Sequence, residues 1–337
     1  MVDPPAAVVL PMVLGSLGLY LTFYLLHKKR RPRPLEYVGT VKELYFHPIK
    51  SCRGVTLQEA ECTWMGLRAH GMYDRQFLLC DPSDGNRVVN LKRKCRLALV
   101  TSKMGENCDE IEISFPGMEK LTLPKAPSTD CTNKIVCNNW TIDFDAVDCG
   151  DAAAEWINKA LETNRPLRLV YAVSGMAERA AGFVNEDGDI IAGDDKKLAP
   201  QFVLPEQCTV NLLSQASLDE LNKRLESDVS IRHFRPNVVV EGCSPNDEDS
   251  WEEIVINEAS FFQFDLAERC FITTIDPDNP EVGHYKKEPL VTLRTYRRKP
   301  GWDGPVFGVR LGLRHRGSIK VGDKVYARRK LSYSYGI

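Results

Sequence analysis

The chain begins with a long apolar segment, and no other feature limits its possible structures as strongly. Residues Ala6–Leu26 (AAVVLPMVLGSLGLYLTFYLL) carry no charge, and the basic sequence HKKRRPRP follows them at once. At about 1.5 Å of rise per helical residue, such a run spans a hydrocarbon core roughly 30 Å thick. We therefore expect a single transmembrane helix at 6–26, preceded by a short tail at 1–5 and followed by a basic, proline-containing linker at 27–37.

A cleaved secretory signal peptide is the alternative interpretation of this segment. Signal peptides carry their positive charge before a shorter apolar run and end at a small-residue cleavage site. Here the charges follow a long run. Because basic flanks stay on the cytoplasmic side, the bulk of the chain is expected in the cytosol. The mitochondrial outer membrane suits such an anchor, and the endoplasmic reticulum and the peroxisomal membrane stay open as alternatives.

Charge and cysteine usage exclude several classes of protein. Lysine plus arginine number 44 and aspartate plus glutamate 46, so the chain has no basic excess with which to neutralise phosphates. This balance argues against a nucleic-acid-binding protein. None of the 11 cysteines belongs to a CxxC motif. The sequence therefore lacks the motif that is typical of zinc ribbons and thioredoxins. Their odd number and irregular spacing favour free thiols in a reducing compartment.

Beyond the linker the pattern is one of short β-rich runs with few helices. Helices are expected with Asp151 as the N-cap (DAAAEWINKALE), after a Ser217/Glu220 capping box, and near Pro289. Many short strands with few helices favour a barrel-like or sandwich architecture over a doubly wound sheet, so the predicted fold class is mostly β with some α (α+β). The expected strands are Val38–Phe46, Val55–Thr63, Gln76–Cys80, Val88–Leu91, Ala98–Ser102, Glu110–Phe115, Lys120–Leu123, Lys134–Cys137, Trp140–Phe144, Thr209–Leu213, Asn237–Glu241, Glu253–Ile256, Ala259–Leu266, Cys270–Ile275, Phe307–Leu313 and Ile319–Tyr326.

Two polar segments in the first half are candidates for binding an anion. In the sequence HPIKSCRG, directly after a predicted strand, Lys50 and Ser51 could grip an anionic group. A basic surface turn is the alternative. Arg75, in Tyr73-Asp74-Arg75, is a further candidate for binding an anion. A local ion pair with Asp74 is the simpler explanation of this residue.

A third polar segment, FRPN, lies before an apolar strand in the second half. Arg235 and Asn237, fixed at the start of the buried run Val238–Val240, could hydrogen-bond a polar heterocycle or a phosphate. A solvated start of a strand is equally compatible with these residue types.

The fourth segment contains a cysteine that could bind a metal. Cys270 begins the predicted strand RCFITTIDP, and Arg269 beside it would stabilise the thiolate. A thiolate is a soft ligand suited to redox metals. The alternative is a small core residue, which is the usual fate of free cysteine.

A larger set of stretches occurs in order from about residue 38 to residue 326: YFHPIKSC, ECTWMGLR, DRQF, DCGDAAAEWI, SLDELNKRLE, FRPNVVV, EDSWEEI, RCFITTIDPD, KKEPLVTLRTYR, FG at Phe307–Gly308, and GSIKVGDKVY. Together they resemble the MOSC superfamily (molybdenum cofactor sulfurase C-terminal type) and, within it, the family of mitochondrial amidoxime-reducing components. The resemblance implies a MOSC_N-like β-rich domain at 38–175 and a MOSC β-barrel domain at 182–333, with a molybdenum cofactor (Mo-molybdopterin) between them.

The same resemblance implies roles for individual residues. Cys270 would supply the protein thiolate to molybdenum and act as the catalytic residue. The pterin and its phosphate would be held by Lys50, Ser51, Arg75, Arg235 and Asn237, with support from Thr273. The implied activity is reduction of amidoximes, hydroxylamines and N-oxides, with electrons from NADH through a flavin reductase and a haem protein of the cytochrome b5 class.

Two departures from the family pattern concern the surroundings of this site. The chain reads Asn90–Leu97 (NLKRKCRL) where the family commonly has a Gln-Glu-Pro-Arg-Leu run, and Glu268 stands where a small polar residue is common. Either change could alter substrate range or redox potential. The alternative function is a non-catalytic module at a membrane surface that binds the cofactor or carries sulfur as a persulfide.

Overall fold

The structure, a computed structural model, describes residues 33–105, 109–128, 133–139, 142–173, 208–283 and 287–330. Contacts divide the chain into two compact units, residues 1–35 and residues 36–337. The predicted transmembrane segment at 6–26 lies outside the described residues, as does the predicted domain boundary at 175–182. Among the helices that are described, none is both long enough and apolar enough to cross a membrane.

Strands dominate the described residues, as predicted. In chain order they are β1 (Glu36–Phe46), β2 (Val55–Leu57), β3 (Glu59–Thr63), β4 (Gly66–Ala69), β5 (Met72–Tyr73), β6 (Phe77–Asp81), β7 (Arg87–Val89), β8 (Thr101–Met104), β9 (Glu110–Ser114), β10 (Leu121–Pro124), β11 (Lys134–Asn139), β12 (Ile142–Asp148), β13 (Arg168–Ala172), β14 (Val210–Ser214), β15 (Val238–Glu241), β16 (Trp251–Ile256), β17 (Ala259–Glu268), β18 (Val306–His315), β19 (Gly317–Lys320) and β20 (Lys324–Arg329).

The largest sheet closes on itself through the first strand. Its order is β15-β14-β18-β17-β16-β20-β1-β2, and β1 also pairs with β15. The first strand therefore completes a ring whose other members all come from the second half of the chain. Closure removes the open edges that such a sheet would otherwise present to solvent.

A second, smaller barrel and two further sheets make up the rest of the strand pairing. The smaller barrel is closed in the order β11-β12-β13-β6-β7, and β10-β9-β8 form a three-stranded sheet. In a four-stranded sheet of order β19-β3-β4-β5, a strand near the C-terminus pairs with one from the first half. Barrels with few helices confirm the predicted fold class. β1, from the first half of the chain, belongs to the large barrel whose other ring strands come from the second half.

The helices are few and short, and their first residues differ from the prediction. They are α1 (Asp151–Ala160), α2 (Gln215–Asn222), α3 (Pro280–Gly283) and α4 (Leu290–Tyr296). Gly150, not Asp151, occupies the N-cap of α1. Ser214 caps α2, where its side chain accepts a hydrogen bond from the Ser217 backbone N–H at 3.1 Å, so this helix begins earlier than the Ser217/Glu220 pattern predicts.

The predicted strand Cys270–Ile275 is wrong. Residues Phe271–Thr274 form a 3-10 helix, and Cys270 is the extended residue before it. The hydroxyls of Thr273 and Thr274 donate to the carbonyl oxygens three residues earlier, at 2.9 and 2.8 Å. Such local side-chain bonds compete with a ladder of strand hydrogen bonds, and β propensity alone does not reveal them.

Gly39 allows β1 to approach its partner strand closely. Its φ is 153°, and a Cβ built on it would lie 2.2 Å from the carbonyl oxygen of Glu241 in β15. We expect Gly39→Ala to lower the free energy of unfolding by about 2 kcal/mol more than Gly117→Ala, because forced overpacking commonly costs this much. Gly117 also has a positive φ, but it has open space around it. Urea unfolding followed by tryptophan fluorescence gives both values, and equal effects of the two substitutions would contradict the importance of this contact.

Candidate functional site

A cavity of about 160 Å³ lies where the segments singled out from the sequence converge. It is lined by the loop after β1, the turn before β6, the segment before β15, and the 3-10 helix at Phe271–Thr274. These segments are far apart in sequence, so their meeting is a property of the fold. All seven residues predicted for the site line this cavity: Lys50, Ser51, Arg75, Arg235, Asn237, Cys270 and Thr273.

The carboxylate of Asp74 connects three of the segments. It accepts a hydrogen bond from the backbone N–H of His47 at 2.6 Å and one from the side-chain amide of Asn237 at 3.1 Å. It also forms an ion pair with Arg75. The predicted local ion pair between Asp74 and Arg75 is therefore present. The Asp74 carboxylate also binds the loop that contains Lys50 and the segment that contains Arg235. Asp74 is completely buried.

The charge states in this network follow from burial and from the neighbouring cations. Burial raises the pKa of Asp74, but the Arg75 guanidinium and the hydrogen bonds from His47 outweigh it and hold the pKa at about 2. Burial and the charges of Arg235 and Arg75 lower the pKa of His47 to about 3. At neutral pH the network therefore contains an ionised carboxylate and an uncharged imidazole.

Lys50 and Ser51 do not belong to a surface turn. Their exposed fractions are 2% and 6%, which excludes the alternative of a solvated basic loop. Phe234 and Asn237 are buried as well, so the FRPN segment is not a solvated start of a strand. Buried polar and charged groups need partners or ligands, because desolvation alone is unfavourable.

Three residues that line the cavity have left-handed backbone conformations. The φ angles of Ser51, Arg75 and Arg235 are 69°, 61° and 51°. Residues other than glycine in this region carry a conformational cost of about 1–3 kcal/mol each, and such residues concentrate at functional sites. The backbone is therefore held in unfavourable conformations at the points where it presents these side chains.

Asn237 and Thr273, like Arg75 and Arg235, make contacts within the protein. The Asn237 side chain donates to Asp74 and to the Tyr45 carbonyl, and accepts from the Asn211 N–H at 3.2 Å. The Thr273 hydroxyl donates to the carbonyl oxygen of Cys270 at 2.9 Å. Both residues position the cavity wall.

Cys270 is the one cysteine among the described residues that is exposed. Cys208 lines the same cavity but is buried, and burial raises the pKa of its thiol. Cys208 is therefore a buried residue of the kind usual for free cysteine, and this alternative interpretation is wrong for Cys270. An accessible thiol in a cavity lined by cations is the environment of a reactive or ligating cysteine.

Arg269 has a different role from the one expected beside Cys270. Its guanidinium donates to the carbonyl oxygens of Phe307 at 2.7 Å and Phe234 at 3.0 Å, which fixes it inside the protein. Burial, followed by the charge of Arg310, lowers its pKa to about 9, so it stays charged at neutral pH. Gly308, after Phe307, has a φ of 77°, and a Cβ on it would lie 2.7 Å from the carbonyl oxygen of Leu212, which explains the glycine at this position.

Sequence reasoning missed the residues of β14 and β18 that complete the cavity wall. Asn211 and Arg310 line the cavity and belong to paired strands. No local pattern marks them, because they look like ordinary strand residues until the barrel closes. Glu268 also lines the cavity, and its carboxylate accepts a hydrogen bond from the Gly304 N–H at 2.5 Å.

Asp278 connects the segment after Cys270 to two other segments that line the cavity. It bridges Arg53, which follows the Lys50–Ser51 turn, at 2.8 Å, and Arg232, which lies just before Arg235, at 3.1 Å. Arg53 also donates to the carbonyl oxygen of Pro277 at 2.7 Å. The segment that begins at Cys270 is therefore fastened to the segments that contain the cations.

The residues present fit an anionic, metal-containing cofactor. Five cations line the cavity (Lys50, Arg75, Arg235, Arg269 and Arg310), with Glu268 as the acid among the lining residues. Among the described residues, no three His, Cys, Asp or Glu side chains are grouped so that they could hold a metal ion. A metal bound through the Cys270 thiolate would draw its other ligands from a non-protein group, as a phosphorylated pterin with sulfur ligands allows.

Comparisons with known proteins identify two domain families along the chain. Residues 38–164 match the MOSC N-terminal beta barrel domain, and residues 172–326 match the MOSC domain. The chain is 38% identical over 303 residues to mitochondrial amidoxime reducing component 2 of Bos taurus, a match that covers 88% of this chain and 85% of the relative. It is 37% identical over 304 residues to mitochondrial amidoxime-reducing component 1 of Homo sapiens, again with 88% and 85% covered.

The ion network around Asp74 predicts a specific pH dependence of stability. Because the folded-state pKa of about 2 lies below the ordinary 3.8, the ionised group stabilises the fold above pH 4, and this contribution is lost as the pH falls towards 2. The advantage of wild type over Asp74→Asn should therefore shrink by about 2 kcal/mol across that interval. Urea unfolding at a series of pH values measures it.

Asp84→Asn is the matched control for this experiment. Asp84 pairs with Arg93 at 2.8 Å, but both side chains are substantially exposed, so we expect a loss below about 1 kcal/mol. A constant difference between wild type and Asp74→Asn from pH 4 to pH 2 would show that the Asp74 carboxylate does not stabilise the fold through its charge.

Proposed function

Because the chain belongs to the MOSC-domain family of the mitochondrial amidoxime-reducing components, we propose that it is a molybdenum-dependent reductase of N-hydroxylated and N-oxygenated compounds. The relatives' names refer to amidoxime reduction, and MOSC domains are associated with the molybdenum cofactor. Amidoximes, hydroxylamines and N-oxides are the proposed substrates.

The observation that carries this proposal is the exposed Cys270 thiol in a cavity lined by five cations. The cations suit a phosphorylated, anionic group, and a thiolate suits a soft redox metal. Lys50, Arg75 and Arg235 would hold the pterin and its phosphate, and the Ser51 hydroxyl would donate a further hydrogen bond. Asn237 and Thr273 would keep the wall in place through the contacts described above.

The cofactor would supply a metal centre that changes oxidation state by two electrons. In the overall reaction an amidoxime takes up two electrons and two protons, its N–O bond breaks, and an amidine and water leave. The chain would bind the cofactor, fix the Cys270 sulfur through the Asp278 bridge, and leave the thiol side open to solvent. Solvent would then supply the two protons.

We also propose the surroundings in which the enzyme works. The relatives are named as mitochondrial, and the apolar segment at 6–26 would anchor the chain in the outer membrane with its bulk in the cytosol. Electrons would come from NADH through a flavin reductase and a haem protein of the cytochrome b5 class. A shared membrane would raise the effective concentration of these partners.

The alternative function is a cofactor-binding or persulfide-carrying module without reductase activity. The same exposed thiol favours it, because a sulfur carrier also needs an accessible cysteine. The two functions differ in turnover with an N-hydroxylated substrate.

The proposal is tested with the full chain purified from a host that makes the molybdenum cofactor. Wild type is expected to contain near-stoichiometric molybdenum and pterin and to reduce benzamidoxime with a cytochrome b5-type protein, its flavin reductase and NADH. Cys270→Ala should lose turnover by about 1,000-fold or more, as expected for a group that acts directly on the reacting centre. Because the cations still hold the pterin, its content should stay near that of wild type.

Cys208→Ala is the matched control, because this buried cysteine lines the same cavity. It should keep both cofactor and turnover within about threefold, since a buried thiol of raised pKa is a poor ligand. Bound molybdenum without reduction of any N-oxygenated substrate would favour the carrier. Wild type without molybdenum from a competent host would refute the proposal.

A further inference from the structure

Glu268 and Cys270 are neighbours on one wall of the cavity. Glu268 is the last residue of β17, and the chain stays extended through Cys270. Between them, the Arg269 backbone N–H donates to the carbonyl oxygen of Pro305 at 2.8 Å. In extended backbone, side chains two residues apart point to the same side, with Cα atoms about 6.6 Å apart. Both residues line the cavity, so the Glu268 carboxylate lies on the same side of the chain as the exposed thiol.

One oxygen of this carboxylate is held by the backbone opposite. Glu268 Oε1 accepts a hydrogen bond from the Gly304 N–H at 2.5 Å. A Cβ on Gly304 would lie 2.5 Å from the carbonyl oxygen of Arg269 and 3.1 Å from Glu268 Oε1. The glycine therefore allows the approach that this hydrogen bond requires, and the bond fixes the position of the carboxylate.

The charge of Glu268 has no counter-ion within the residues that the structure describes. Five cations line the same cavity, but none of them forms an ion pair with this carboxylate. Arg310 faces Asp265 at 3.7 Å, and the Arg269 guanidinium donates to backbone carbonyl oxygens. The Glu268 side chain is half-buried. Because a partly buried charge is less screened than one in open solvent, this carboxylate can attract a cation in the cavity.

A structural role alone does not explain a charged residue at this position. Accepting one hydrogen bond from a backbone N–H requires only a neutral acceptor, such as the side-chain amide of glutamine. A carboxylate also repels any anion that the nearby cations bind, because like charges repel. The proposed cofactor is anionic, so its negative groups would bind to the cations and avoid Glu268. The carboxylate then suits a different ligand, one that carries a positive charge.

We propose that Glu268 is a specificity-determining residue that accepts hydrogen bonds from a cationic nitrogen group of the substrate. The inference rests on the proposed function and states which of its substrates this chain prefers. Protonated amidine and guanidine groups carry N–H donors in one plane, which matches the geometry of a carboxylate. Protonated N-hydroxy compounds of these two classes are therefore bound more tightly than neutral N-oxides, which offer Glu268 neither a charge nor an N–H donor.

The direct test measures binding to the full chain with its cofactor by isothermal titration calorimetry. Benzamidine is a cation and benzamide is a neutral molecule of the same shape. Wild type should bind benzamidine about tenfold or more tightly than benzamide, since a hydrogen bond to a charged group is worth more than one between neutral groups. Glu268→Gln should weaken benzamidine binding about tenfold and benzamide binding less than about twofold, because the glutamine amide still accepts from the Gly304 N–H.

Steady-state kinetics of the same variant separate recognition from chemistry. For protonated N-hydroxyguanidine, Glu268→Gln should raise KM about tenfold and leave kcat within about threefold. For neutral pyridine N-oxide, both constants should stay within about twofold of wild type. A general disturbance of the reacting centre would instead lower kcat for both substrates, and this result would contradict a role in charge recognition.

Asp303→Asn is the matched control, because Asp303 is exposed, directly precedes Gly304 and does not line the cavity. It removes the same charge close to the same loop and should leave both affinities within about twofold of wild type. Equal weakening of benzamidine binding by Asp303→Asn and Glu268→Gln would overturn the proposal, because the effect would then reflect overall charge.

Three further outcomes bear on the proposal. If Glu268→Gln weakens benzamidine and benzamide equally, the residue only supports the Gly304 segment and the proposal is wrong. If wild type reduces benzamidoxime but shows no preference for benzamidine, or Glu268→Gln keeps that preference, the proposal is also wrong while the proposed function stands. If the preference depends on Glu268 but wild type reduces no N-hydroxylated compound, the cation-binding role of Glu268 is supported and the proposed function fails.

Discussion

The candidate site depends on one buried carboxylate. Asp74 holds the backbone of the His47 loop, the Arg75 guanidinium and the Asn237 amide together. The His47 loop and Arg75 come from the first quarter of the chain and Asn237 from its second half, and each segment contributes cations to the same cavity. Because like charges repel, bringing several cations together needs an anion behind them, and a group with a pKa near 2 keeps its charge at any physiological pH. The cation side chains in front of it line the cavity.

Local sequence patterns were sufficient to select residues that share one cavity and to predict most strands, but insufficient to assign what each residue does. Lys50, Arg75, Arg235 and Cys270 stood out because cations, amides and a thiol clustered beside predicted strands, and the structure places them in one cavity. The resemblance to a known family supplied their expected roles. The 3-10 helix after Cys270 was missed because threonine hydroxyls turned the chain back on itself where β-branched residues favour a strand.

Other features were invisible because they arise only from long-range pairing. Nothing in the sequence near Asn211 or Arg310 marks them as part of a site, and only the pairing of β14 with β18 brings them to the cavity. Likewise, periodicity predicts that residues 36–46 form a strand but does not name its partners. The structure pairs this strand with β15 and β20, so a strand from the first half of the chain completes the barrel of the second half.

This sharing of strands has a consequence for synthesis on the ribosome. β1 emerges first, but β15 and β20 emerge only when most or nearly all of the chain has been made. Until then the large barrel has a gap and β1 is paired only at Leu44–Phe46, by β2. Unpaired strand backbone is the condition in which strands associate wrongly. A chain of this topology would gain from early chaperone contact with its first strand, and a truncated transcript that ends before β20 would encode an open, aggregation-prone barrel instead of a smaller working protein.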